Sequence, residues 1–183
     1  MALILLAGPK HSGKTSTGRE LAKMLEVSFD DLDQLIEERT GQSIRELYKT
    51  GKELFQREET AALENLLQKK VFIEKSQKMV LALGGGVIDN PGAMAALEKE
   101  LRKSEGHCIV YLEISAETAW QRIVSQGELP PFLEAETLLA SKEKHLLLHE
   151  RRARDYKKVA AHCLFAEEKN PRELAEEMCN LIL

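Results

Sequence analysis

The chain has little cysteine, few aromatics and no excess of positive charge. Its three cysteines, Cys108, Cys163 and Cys179, are odd in number and form no C-x-x-C pair, which argues against a disulfide framework. They are expected to be reduced, buried small hydrophobes in a cytoplasmic protein. No run approaches the roughly 20 apolar residues that cross a bilayer, so no membrane partner is expected. A formal net charge of -4 gives nothing global to favour nucleic acid or an anionic surface. The first apolar stretch ends at Lys10 without a basic leader or cleavage site, and is expected to be a strand and not a signal peptide. Internal repeats, low-complexity segments and long linkers are also missing. What remains, 183 residues with 43% hydrophobic and 31% charged, reads as one domain over residues 1–183 able to bury a substantial core, and as a monomer.

Apolar runs recur at residues 2–7 (ALILLA), 27–32 (VSFDDL), 79–84 (MVLALG), 107–114 (HCIVYLEI) and 161–166 (AHCLFA), with helical patterns between them. That alternation predicts an α/β fold, a parallel sheet with helices on both faces. Apolar faces are expected at Leu21, Met24 and Leu25; at Leu63, Leu66, Leu67 and Val71; and at Leu174, Met178, Leu181 and Ile182. Helix starts are marked by Ser43 with Glu46, by Asn90 before Pro91, and by Asn170 with Pro171 and Glu173. Residues 126–136 (QGELPPFLEAE) break the pattern with a glycine and two prolines, and predict an irregular lid over about 126–140.

Directly after the first strand, Gly8, Gly13, Lys14 and Thr15 satisfy G-x-x-x-x-G-K-[ST] between a strand and a helix. Successive backbone N–H groups there curl into an anion site at the positive end of a helix. Lys14 is expected to reach the β- and γ-phosphates of ATP, and Thr15 to ligate Mg²⁺. Asp31 and Asp33 end the second strand two residues apart, so on a strand both would share a face toward the phosphate loop. A D-x-D pair there can bind substrate hydroxyls and support Mg²⁺ through water. Gly84, Gly85 and Gly86 follow the third strand at the same edge and suggest a close approach to backbone.

In this order and at these separations, the phosphate loop, FDDLDQLIEERTGQSI, GKELFQREE, VLALGGGVI, VYLEISAE and KNP resemble the shikimate kinase family across essentially the whole chain. The resemblance implies a phosphate-loop kinase fold with a five-stranded parallel sheet of order 2-3-1-4-5, and transfer of the ATP γ-phosphoryl to the 3-hydroxyl of shikimate. It implies that Asp33 binds the acceptor hydroxyls, that Gly84 to Gly86 lie against its ring, and that Asp31 is near the metal or the attacking hydroxyl. It further implies that Arg122 stacks on adenine, that Lys169, Asn170 and Pro171 form a second adenine loop, and that Arg152 holds the acceptor carboxylate. Lys14 and Asp31 are thus the catalytic candidates.

Two positions depart from the family pattern. Gly51 and Phe55 fit G-x-x-x-F-R, but Gln56 stands where the carboxylate-binding arginine belongs, and Arg57 would point about 100° away on a helix. The lid carries no arginine, since none occurs between Arg122 and Arg151; Lys142 or Lys144 are candidates to substitute. A kinase acting on a different polyhydroxylated acid or sugar, and a nucleotide-binding regulatory module without efficient transfer, therefore remain as other readings. His145 and His149, spaced i, i+4, have neither an H-E-x-x-H glutamate nor a third ligand and are expected on a partly exposed helix. Trp120 is expected in packing, His11 is expected to point outward, and Arg151, Arg154, Lys157 and Lys158 are expected on a solvated face.

Overall fold

The computed structural model describes residues 3–70, 79–127 and 129–182; Ala2, Val71 and Glu128, which carry parts of the strand, helix-face and lid expectations, lie outside these. Strands β1 (Leu3–Ala7), β2 (Ser28–Asp31), β3 (Met79–Ala82), β4 (Cys108–Glu113) and β5 (His162–Phe165) form one parallel sheet in the order β2-β3-β1-β4-β5. β1 is buried at every residue, because a parallel strand covered on both faces must be apolar on both. It lies between β3 and β4, so the crossovers diverge at its carboxyl end and open a crevice there.

Helices are α1 (Lys14–Leu25), α2 (Leu32–Thr40), α3 (Ile44–Thr50), α4 (Lys52–Lys70), α5 (Pro91–Leu101), α6 (Ala116–Ser125), α7 (Leu138–Val159) and α8 (Pro171–Ile182). Strand alternation divides the interior in two. Leu3, Leu5, Leu81 and Tyr111 pack with Leu32, Ile36, Leu63, Leu97 and Tyr156, whereas Ile4, Leu6, Val80 and Val110 pack with Leu21, Ala119, Leu174 and Met178 on the other face. The marked helix starts behave as their side chains dictate. Ser43 and Glu46 close a reciprocal capping box, Asn90 accepts from Gly92 N and Ala93 N, and Asn170 accepts from Arg172 N and Glu173 N.

Several expectations need correction. Leu181 is exposed, because it lies beyond the strip of α8 that meets the sheet. Cys163 is exposed, since β5 is an edge strand with only Leu164 of its four residues buried, and Cys108 of β4 and Cys179 of α8 are half-buried. His145 is buried, its Nε2 3.0 Å from Ala116 O and its ring 5.6 Å from that of Trp120. His149 Nε2 is 3.1 Å from Ile114 O, so both histidines dock α7 onto the end of β4 and the start of α6.

The irregular segment, expected over 126–136, ends at Thr137, which caps α7, so residues 138–140 of the expected lid belong to the helix. Within it Pro131–Leu133 form a 3-10 turn whose Leu133 is buried with Trp120 and Ile123. Arg45 of α3 ties it down from the opposite side, donating to Leu129 O at 2.5 Å and pairing with Glu134 at 2.8 Å.

Candidate phosphoryl-transfer site

At the crevice, β1 runs into the phosphate loop and α1. Gly13 caps α1 at φ +93, a left-handed conformation that glycine adopts without steric cost. His11 also has positive φ, at +61, and lines the cavity, contrary to the outward orientation expected. Burial, then Lys10, Lys14 and Arg122, hold its pKa down. Lys14 Nζ donates to Gly8 O at 3.0 Å and Pro9 O at 2.8 Å, which suspends the ammonium across the loop. Burial lowers its pKa to about 8, opposed by Asp33 and Asp31.

Thr15 donates to Asp31 Oδ2 at 2.6 Å, and Asp33 N donates to Asp31 Oδ1 at 3.1 Å. Asp31 is therefore the N-cap of α2, and Asp33 lies in the first turn of that helix, not on the strand. The strand-parity argument fails for this reason, yet both carboxylates line the same cavity because the helix begins at its mouth. Burial first, and then Asp31, raise Asp33 to about 6.

The cavity, about 800 Å³, extends from Lys14 and Thr15 past Asp33 to Gln56, Gly84 to Gly86, Phe132 and Arg152. That is the size and mixed character of a small-molecule site. The glycine triplet forms its wall because there is no room for side chains. A Cβ at Gly84 would lie 2.8 Å from Asp33 Oδ1 and 3.2 Å from Glu59 Oε1, one at Gly85 3.2 Å from Lys10 N, and one at Gly86 2.9 Å from an Nη of Arg152. Gln56 donates to the backbone oxygen of Asp89 at 2.8 Å. Arg57 is exposed beside Glu58, as the helical offset requires.

Cavity residues that the sequence patterns do not assign to the site include Glu59, Asp89, Tyr48 and Phe132. Glu59 is 1% exposed, accepts from Asn90 Nδ2 at 2.8 Å through one oxygen, and has no hydrogen-bond partner on the other. Burial raises its pKa to about 7. Its spacing from Gln56, three residues on α4, could have put it on the cavity face. Asp89 pairs with Arg152 and with Arg151, so Arg151 is not merely part of a solvated face. Tyr48 and Phe132 meet with ring centroids 5.6 Å apart, and Phe132 lies 5.4 Å from the Arg152 guanidinium carbon. No local pattern marks these three; only the fold brings α3, the irregular segment and α7 together.

Away from the cavity, Arg122 donates to His11 O at 2.8 Å and Glu167 O at 3.4 Å, joining the phosphate loop to the turn before α8. Lys169 pairs with Glu177, and Asn170 and Pro171 begin α8, so this expected group lies at the same end of the sheet. Lys142 is paired with Glu117, whereas Lys144 lines the cavity. Thr15 and Asp31 supply hard oxygen donors beside the loop, a set that fits Mg²⁺, which takes few protein ligands and keeps waters and phosphate oxygens.

A family model described as shikimate kinase matches residues 10–183. The chain is 33% identical over 176 residues to the shikimate kinase of Lactococcus lactis, covering 96% of this chain and 94% of that protein. It is 36% identical over 171 residues to that of Mycobacterium tuberculosis, covering 91% and 85%. Among solved structures, shikimate kinase from Acinetobacter baumannii in complex with shikimate superposes with a TM-score of 0.81 at 30% identity, over 98% of this chain and 92% of that one. A gluconokinase from Sinorhizobium meliloti has the same fold, with a TM-score of 0.63 at 16% identity over 99% and 93% of the two chains.

Proposed function

Because the chain belongs to the shikimate kinase family, which uses ATP, we propose that it transfers the γ-phosphoryl group to a hydroxyl of shikimate. The observation that carries this reading is the single cavity shared by the phosphate loop, Asp33, the glycine wall and Arg152. The loop N–H groups and Lys14 bind the phosphates as an anion site at the start of α1. Thr15 and Asp31 would hold Mg²⁺, which would supply positive charge to neutralise the phosphates. Arg122 and the Lys169–Pro171 turn flank the adenine.

Asp33 accepts the hydrogen bond of the acceptor hydroxyl. A carboxylate raised to about 6 is a better base than an ordinary aspartate and is still largely ionised at neutral pH. The glycine wall lets the acceptor ring approach backbone, Arg152 faces its carboxylate, and Gln56 contributes a neutral amide. The irregular segment brings Phe132 over Arg152 and excludes water. Positioning and fixed charge perform most of the catalysis.

The test is release of ADP measured with shikimate, with related hydroxy acids and with no acceptor. Shikimate-dependent release is the expected result. Release that is absent or acceptor-independent overturns the reading in favour of a regulatory nucleotide binder. Release with another hydroxy acid alone reassigns the acceptor, the alternative that Gln56 favours.

A further inference from the structure

The guanidinium assigned to the acceptor carboxylate already has a partner. Arg152 Nε and one Nη donate to Asp89 Oδ2 at 2.8 and 2.7 Å, and Arg151 approaches the other oxygen at 2.7 Å. Burial alone would raise the Asp89 carboxyl, but the two guanidiniums outweigh it and hold it below the usual aspartate range. Asp89 is therefore an anion in the cavity wall at neutral pH. The Nε edge of Arg152 is one of the edges from which a guanidinium can grip a carboxylate with paired hydrogen bonds, and it is taken. Phe132 covers the same group, and Gly86 leaves room for the Nη that Asp89 holds, since a Cβ there would lie 2.9 Å from it. Across the cavity, Gln56 supplies no second cation, and its amide is spent on the backbone of the same aspartate.

We propose that Asp89 determines acceptor specificity: its carboxylate holds the Nε edge of Arg152, so an anionic acceptor binds against an internal competing anion and gains little over a neutral one. This rests on the reading that Arg152 faces the acceptor carboxylate. Two carboxylates on either side of one guanidinium repel, and that repulsion is weakly screened in a part-buried wall.

Steady-state phosphorylation of shikimate and of its methyl ester by the native chain, Asp89→Asn and Asp89→Glu tests the proposal. The native chain should show KM values for acid and ester within about threefold of each other, whereas a guanidinium free to pair with the acid would separate them far more. Asp89→Asn should lower KM for shikimate by about tenfold, with no comparable change for the ester, because it removes only the competing charge. Asp89→Glu, which keeps the charge, should stay near the native values. A native preference for the acid of about a hundredfold overturns the proposal, a measurement that needs no variant to fold. So does an Asp89→Asn enzyme whose KM for shikimate is unchanged or higher; a rise would mean that Asp89 orders Arg152 for the acceptor. Failure of the native chain to turn over either compound removes the acceptor assignment and this proposal together.

Discussion

Glu59→Gln should make the protein more stable above neutral pH and leave it unchanged in acid. Glu59 is 1% exposed, and burial raises its carboxyl from 4.5 to about 7. The native chain thus binds this proton more tightly than the unfolded chain does, by about 3 kcal/mol. That contribution is complete below pH 4.5 and disappears as pH rises to about 7, where the buried group must ionise or keep a proton that solvent no longer supplies. An amide has no such transition. It also keeps an oxygen to accept from Asn90 Nδ2, and its NH₂ can donate toward Asp33 Oδ1, which lies across the Gly84 wall. Urea unfolding between pH 4.5 and 8.5 should show the variant gaining up to about 3 kcal/mol over the native chain across that window. For a domain of this size the same gain at pH 8 corresponds to a melting temperature higher by roughly 6–12 °C. Parallel stability curves for the two proteins would refute the reasoning, because they would mean that Glu59 is not held protonated by the fold.

Lys14→Ala should abolish phosphoryl transfer and weaken ATP binding measured by calorimetry, since the ammonium held across the loop by Gly8 O and Pro9 O is lost; unchanged turnover would remove the loop from the mechanism. Gln56→Arg should lower KM for shikimate by about tenfold, because a charged and potentially bidentate donor replaces a neutral amide. Loss of activity with shikimate in that variant would show instead that glutamine belongs to a specificity pocket built for another acceptor.

The sheet was legible in the sequence because covered parallel strands are apolar on both faces, so LILLA, MVLA and CIVYLE stand out as continuous runs. The phosphate loop was legible because its chemistry is local: the whole motif lies in the consecutive residues 8–15. Asp33 is legible for an incomplete reason, since two-residue periodicity requires β2 to continue through it, whereas Asp31 ends the strand two residues earlier by capping α2. Asp89 and Glu59 were not found because each acquires its character from residues distant in sequence. Arg152 lies 63 positions from Asp89 and Asn90 lies 31 from Glu59. A lone aspartate before a helix start looks the same whether it faces solvent or a guanidinium. The histidines of α7 misled in the opposite sense, because polar side chains that bond backbone oxygens at a helix–strand junction cannot be told from exposed ones by spacing.

The absence of arginine from the irregular segment gains a physical meaning from the same contacts. Of its described residues, Leu133 is buried with Trp120, Phe132 covers Arg152 and Tyr48, and Leu129 and Glu134 are held by Arg45, so this segment contributes cover and anchorage. Cations that line the cavity come instead from the body of the fold: Lys10 and Lys14 from the phosphate loop, Lys52 at the start of α4, and Lys144 and Arg151 beside Arg152 on α7. Lys142 is turned away by its pair with Glu117. A lysine is a compact charge without the planar fork of arginine, so such a site can stabilise charge on a transferring phosphoryl group but specifies its orientation less tightly. On the proposed reading, orientation would then rest on Asp33, the glycine wall and the Asp89–Arg152 pair. A Cβ at Gly84 would lie 2.8 Å from Asp33 Oδ1 and one at Gly86 2.9 Å from an Nη of Arg152, so these side chains pack directly on the glycine backbone.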